Sequence, residues 1–344
     1  MPGLAADVDA AEALAAAARA GPYFALEPWA EGAGWRPASL LVCDPAVLAG
    51  WVTHARAVIA GRAGLAPAAV AERVAASIVF LGLASRLVSP SLGAAVLGGV
   101  VPHLTLDNLW WRPVDGGPVP LAVRGSGPVT GREIGDAPAG GQLDDAAALL
   151  SERCVQGMAE PVAGAFQALF RLSPLVLRGN IASALAGAAG MLARSFPDRA
   201  ETAGQLTARI LALPPLRGTG ELVQPDASQP RRFLVRRSCC LYYRVPGAGT
   251  CGDCVLTPER IRRQQWQAAL GRRGARCWSL ARTLTWARRR SRPDCAGGWR
   301  ERGCGSLRSK PRTCRSTAWS RPTARRSAGP RPCRQQRPGL PRPV

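Results

Sequence analysis

The stretch PAAVAERVAASIVFLGLASRL, residues 67–87, decides the fold. Val70, Val74, Ile78, Leu81 and Leu83 give it a broad apolar stripe at helical spacing, and Pro67 supplies a φ already suited to a first turn. The spacing predicts a helix over 68–87 with one wide face in a core. The same signals recur outward in both directions. Residues 7–19 are Ala-rich with acids at their start, which the helix dipole favours. Asp44 followed by Pro45 places an N-cap and an N1 proline before a helix reaching about residue 61. Further helices are expected at 143–170, 174–194 and 198–213. Between them, residues 101–134 are rich in Gly and Pro and strand-like, and 104–111 and 119–123 are expected to pair as short strands. The class is α+β, mainly α: a helical body with a small sheet and a short C-terminal cysteine-rich module.

The longest uncharged stretch, 87–106, is broken by Pro90, Pro102, His103 and several Gly. A spanning helix needs about 20 mostly apolar residues, so a buried core segment is expected there. The N-terminus carries Asp7, Asp9 and Glu12 where a signal peptide would carry basic residues and then an apolar core, and a cytoplasmic location is the expectation.

At 344 residues and 47% hydrophobic, the chain can bury a sizeable core and is not disordered throughout. Its net charge of +22 is unevenly spread. Residues 1–230 hold 16 Arg and 19 acids, hence −3; residues 231–344 hold 29 Arg plus Lys and 4 acids, hence +25. The body is therefore no nucleic-acid binder on grounds of charge. Residues 270–344 lack Ile, Met, Phe, Tyr, Asn and His, and carry 21 Arg plus Lys against 2 acids, so disorder is expected. Such a composition fits out-of-frame reading of GC-rich DNA; the alternative is a basic arm for an anionic surface.

Eleven Cys in a chain without a secretion signal argue for metal before disulfides. Cys43 and Cys154 stand alone in helical segments and are expected to be buried small apolar residues. Five more lie in the tail. The remaining four, Cys239, Cys240, Cys251 and Cys254, form a C-C-x10-C-x2-C pattern. A Cys-x2-Cys turn aims two thiolates at one ion, with Gly252 relieving the backbone. The adjacent pair calls for a bend, and residues 241–250, a short strand and a Pro-Gly-Ala-Gly turn, would return the chain. Four Cys ligate [2Fe–2S] clusters and structural Zn alike, although adjacent Cys are unusual in zinc fingers. Arg231, Arg232, Arg236, Arg237 and Arg244 flank the motif, and Arg237 and Arg244 are the favoured contacts by proximity.

The run Arg236-Arg-Ser-Cys-Cys-Leu-Tyr-Tyr-Arg244, followed by Cys251-Gly-Asp-Cys254, resembles the C-terminal signature of the FhuF-like ferric-siderophore reductases. The segment Arg178-Gly-Asn-Ile-Ala-Ser-Ala-Leu185 is similar to that family's helical motif before the cluster region. The resemblance spans about residues 35–260; family chains usually end soon after the last Cys, so the residues beyond 263 depart from the pattern. It implies that Cys239, Cys240, Cys251 and Cys254 hold a [2Fe–2S] cluster, and it divides the chain into a reductase-like domain (1–230), a cluster module (231–265) and a tail (266–344). It further implies an oxidoreductase, a ferric reductase that passes one electron to a ferric siderophore and releases Fe(II). Hydroxamate-type substrates are favoured, because their hard oxygens suit Fe(III) and hold Fe(II) less well.

No nucleotide motif stands up. Gly247-Ala-Gly-Thr-Cys-Gly252 reads G-x-G-x-x-G but opens no helix and contains a cluster cysteine. Electrons are therefore expected from a separate donor of ferredoxin, flavodoxin or flavin-reductase type, with peripheral association at the inner membrane face a further expectation. Asn180, Ser183, Trp110 and Trp111 are further candidate contacts to substrate or donor. His54 and His103 are expected to be ordinary surface or core residues. The alternative for the whole chain is a non-enzymatic protein with a structural four-cysteine zinc site.

Overall fold

The chain opens with β1 (Asp7–Asp9), and the Asp9 carboxylate then accepts from the Ala11 N–H at 2.8 Å to start α1 (Ala11–Ala18). This corrects the expected helix at 7–19, whose first residues are drawn into an antiparallel ladder. The structure, a computed structural model, describes residues 7–114, 117–124, 128–135 and 140–271. The Arg-rich residues from 272 onward, and the expectations placed on them, lie outside the described residues.

After β2 (Arg36–Pro37) and the single turn α2 (Leu40–Cys43), Asp44 caps α3 (Pro45–Arg62) by accepting from the Ala46 N–H at 2.9 Å. Pro67 opens only a short 3-10 turn, and α4 runs over Glu72–Gly98. The helix thus begins later than the stripe suggested and continues eleven residues past Leu87, straight through Pro90. An interior proline costs a helix about 3 kcal/mol. Here nearly every residue from Val74 to Val96 is buried, and that packing outweighs the loss. Gly99, at φ 64°, ends the helix in the left-handed conformation.

Short strands follow: β3 (Val100–Pro102), β4 (Leu109–Trp111), β5 (Leu121–Val123) and β6 (Thr130–Glu133). The order β1-β6-β3 makes one antiparallel sheet and β2-β4-β5 another. The expected pairing of the 104–111 and 119–123 segments is found, with Trp111 opposite Leu121. Next, α5 (Gly141–Leu150), a π-helical stretch (Ser151–Ala159) and α6 (Glu160–Phe170) run on as one rod where a single helix was expected. Ser173 caps α7 (Pro174–Ser195) through the Leu175 N–H, and α8 (Ala200–Ala212) follows. The chain then forms the hairpin β7 (Gly220–Val223) and β8 (Phe233–Arg236), and finally α9 (Glu259–Leu270). Helix α9 crosses residue 265, which the sequence suggested as a module boundary. Among the described residues, the small sheet of the sequence reading is three small sheets beside a helical body.

Helices α4 and α7 form the centre. Both are long and apolar enough to cross a membrane by length and composition, and both are mostly buried by other elements. Small residues permit the close contacts: a Cβ at Gly98 would lie 2.5 Å from the Ala13 Cβ and one at Gly93 would lie 2.8 Å from the Ala17 Cβ, so α1 packs on α4 across two glycines. Arg86, fully buried on α4, donates to the carbonyls of Pro22, Tyr23, Ala25 and Val119 and ties the loop after α1 to the segment leading into β5. Burial lowers its pKa to about 10, against the opposing pull of Tyr23 and Glu27.

Candidate metal centre

The β7–β8 hairpin delivers the cysteines. Along β8, burial alternates with the pleat: Leu234 and Arg236 point inward, while Arg237 is exposed. The adjacent Cys239 and Cys240 follow, and Leu241 takes φ 67°, the bend the pair was expected to need. Residues Tyr242–Arg244 form a 3-10 turn where a short strand was expected. Gly247 and Gly249, at φ 76° and 77°, then turn the chain back, and it is these glycines rather than Gly252 that occupy left-handed backbone. Cys240 and Cys254 end buried, Cys239 and Cys251 half-buried. The Cys240 and Cys251 sulfurs lie 3.4 Å apart. Two further sulfurs accept backbone hydrogen bonds, Cys239 from Leu241 N–H at 3.3 Å and Cys254 from Leu256 N–H at 3.4 Å.

The socket beneath this loop is built from α4 and α7. Ser77 donates to the Cys240 carbonyl at 2.8 Å, and the Asn180 amide donates to Ser77. The Asn180 oxygen accepts from Arg236 Nη2 at 2.7 Å, and Arg236 Nε donates to the Ser238 carbonyl at 3.0 Å. Gly179 makes room, since a Cβ there would sit 2.2 Å from Ser238 Oγ and 2.8 Å from Arg236 Nη2. Ser183 donates to the Asp253 carboxylate, between the last two cysteines. Arg178 binds Glu160 and fixes α7 against α6. From the far side, Trp266 of α9 stacks on Phe233 at 5.5 Å, and Arg262 donates to the carbonyls of Cys254 and Thr257.

The electrostatics follow from these contacts. The mutual hydrogen bond of Cys240 and Cys251 pulls the first thiol below its usual value and pushes the second above it. Burial raises both, and the Arg236 cation lowers both. Burial also raises Cys239, opposed by the Leu241 N–H and, more weakly, by Arg236. Asp253 is raised by burial, with Ser183 and Arg236 acting against it.

The donor set fits a two-iron cluster. Two thiolates sharing one tetrahedral ion at about 2.3 Å stand about 3.8 Å apart. Cys240 and Cys251 come near that condition, whereas among the described residues no three Cys, His, Asp or Glu side chains gather on one ion. A mononuclear four-cysteine zinc site requires all four sulfurs at one point; a two-iron cluster requires them as separated pairs. The backbone N–H donors to sulfur are also of the kind that tunes iron–sulfur centres. Arg236 Nη1, buried without a hydrogen-bond partner among the described residues, is the polar atom left over for an anionic group.

The other candidate residues divide. Asn180 is fully buried and Ser183 nearly so, and both hydrogen-bond the cysteine-bearing segment, Asn180 through Arg236 and Ser183 through Asp253. Arg237 and Arg244 are exposed beside the motif, Arg244 lying over the Tyr243 ring at 5.7 Å. Trp111 is core, stacked on Trp51 at 4.9 Å, while Trp110 is half-buried beside Trp29 and Arg124. The ring and cation partners of the Trp pair are Trp29, Trp51, Arg36 and Arg124, none of them in the cysteine loop. His54 and His103 are exposed. Cys154 is buried as expected, but Cys43 is exposed, because the one-turn α2 buries only Leu41. Sequence reading passed over Arg236 in favour of its neighbour; Phe233-Leu-Val is apolar throughout, so no alternation in the sequence marked which arginine faces inward.

A family model described as the FhuF 2Fe-2S C-terminal domain matches residues 236–256. No curated protein and no solved structure gives a significant match. Residues 236–256 are thus similar to a domain named for a [2Fe–2S] cluster, which supports that cofactor at these cysteines, and the resemblance read from the sequence holds at the motif that bears it.

Proposed function

We propose that this chain, with its FhuF-type [2Fe–2S] domain, is a cytoplasmic ferric-siderophore reductase that takes electrons singly from a separate redox protein. The observation that carries the reading is the surface around the cysteines. Cys239 and Cys251 reach the outside, and the exposed apolar side chains Leu175, Tyr243, Val255 and Leu256 border the same loop. Exposed apolar patches of this kind mark docking sites. Arg237 and Arg244 add positive charge to that rim, suited to an acidic donor or an anionic ferric complex.

When bound, the cluster supplies single electrons at this edge. The residues of the chain do the rest. The Ser77–Asn180–Arg236 chain holds the loop rigid, and the rim seats a partner close to Cys239 and Cys251. Reduction of Fe(III) to Fe(II) in hard-oxygen ligands weakens the substrate complex and releases the metal, with one electron supplied by the donor. No general base or nucleophile is required of the protein.

The test begins with anaerobically purified protein, its visible spectrum before and after dithionite, and assays for iron and sulfide. About two irons and two sulfides per chain, bleaching on reduction, are expected. Serine at Cys239, Cys240, Cys251 or Cys254 should remove them. The reduced protein should then deliver Fe(II) to a colorimetric chelator from a ferric hydroxamate. A fully loaded protein that reoxidises no faster with the ferric hydroxamate than without it would sink the reductase reading while leaving the cluster in place.

A further inference from the structure

Arg236 stands apart from every other arginine near the motif. It is 1% exposed, whereas Arg237 and Arg244 face solvent. Its guanidinium is oriented by Nε on the Ser238 carbonyl and by Nη2 on Asn180 Oδ1 and the Val176 carbonyl, while its backbone N–H donates to the Asp253 carbonyl. Three of these acceptors are neutral main-chain carbonyls and the fourth is a neutral side-chain amide. No carboxylate forms an ion pair with it among the described residues, and Nη1 has no partner there at all.

A buried cation is costly unless something pairs with it. The groups that feel this one are Cys239, Cys240, Cys251 and Asp253. The one carboxylate among them, Asp253, takes its hydrogen bond from Ser183 and forms no ion pair with Arg236 among the described residues. The thiolates, once they ligate iron, are the further anionic charge beside the guanidinium.

We propose that Arg236 is the built-in counter-charge of the [2Fe–2S] centre, a positioning residue that holds a permanent cation beside the thiolates and so makes gain of an electron easier. The inference rests on the cluster and not on the identity of the substrate. Net charge and hydrogen bonding to sulfur are the protein's levers on such a centre. Arg236 supplies the charge, leaves Nη1 as the spare donor and stays protonated through the cycle. Asn180 and Gly179 explain the α7 motif in the same terms: Asn180 is a neutral acceptor that orients the guanidinium without cancelling its charge, and Gly179 admits it.

The test compares midpoint potentials of the loaded full chain for wild type, Arg236→Lys and Arg236→Gln. At the wild-type midpoint, Arg236→Gln should shift the oxidised-to-reduced ratio at least tenfold towards oxidised, which is about 59 mV for one electron. Arg236→Lys keeps the charge and should stay within about threefold of wild type. Because the cation is buried, the Gln shift should persist at 1 M salt, where an exposed Arg244→Gln effect fades. An unchanged midpoint in loaded Arg236→Gln, or equal displacement by Lys and Gln, overturns the proposal. Should Arg236→Gln fail to load, Asn180→Asp places a carboxylate 2.7 Å from the guanidinium and must lower the midpoint by a similar factor; an unmoved midpoint there also overturns it. These readings need no siderophore, so their failure is separate from failure of the reductase assignment.

Discussion

Gly179→Ala should loosen the cysteine loop without touching a cysteine. The added Cβ would meet Ser238 Oγ at 2.2 Å and Arg236 Nη2 at 2.8 Å, both closer than real Cβ contacts. The serine can rotate away only by giving up its bond to the Leu175 carbonyl, 2.7 Å long, at a cost of about 1 kcal/mol. The guanidinium is harder to move, because Asn180 and the Ser238 carbonyl hold it in a buried position, and disturbing one such bond costs about 1–3 kcal/mol. The sum is about 2–4 kcal/mol, or about 5–15 °C in Tm for a folded unit of this size. Melting followed by circular dichroism, with iron content measured in parallel, reads both effects. The double variant with Ser238→Ala removes the nearer clash, and the two changes should couple by about 1 kcal/mol. A Gly179→Ala protein with full iron content and a Tm within about 1 °C of wild type would refute the close approach of α7 to the loop.

Other outcomes follow from the same contacts. Charge reversal at Arg237 and Arg244 together should slow reduction by an acidic donor about tenfold at low salt and hardly at all at 0.5 M, read by stopped-flow absorbance. Burial raises the Cys154 thiol from 9.0 to about 11, above its unfolded value. Stability from that group is therefore complete below pH 9 and is lost as the pH rises to 11, by up to about 3 kcal/mol. Cys154→Ala should lose correspondingly less over that interval in urea titrations. Iodoacetamide at pH 8 should label Cys43 and spare Cys154 in the folded chain.

What the sequence made legible was local. Asp44-Pro45 starts a helix where a cap and an N1 proline predict it, the helix expected from Pro174 begins there, and the cysteine spacing announces a metal centre by itself. What it concealed depended on neighbours distant in the chain. Pro90 reads as a stop, and only burial on all sides carries α4 past it. Asp7–Asp9 reads as a helix start until β6 offers it a partner. Of two consecutive arginines, pleat parity alone places Arg236 inside, and parity could be assigned only once the strand's core face was known. Asn180 is a polar residue in an apolar helix and so needs a partner, which the sequence could not name; its partners are Ser77 and Arg236.

The stack of Trp266 on Phe233 lies outside all four cysteines, one ring before the first and the other after the last. It therefore ties off a closed loop of roughly 30 residues, whose length-dependent closure entropy is about 3 kcal/mol. The aromatic contact and the bond from Arg231 to the Ala269 carbonyl offset that cost before any iron–thiolate bond forms. Incoming iron thus encounters thiols already at high effective concentration, and a chain cut just after Cys254 would keep every ligand yet lose the knot that gathers them.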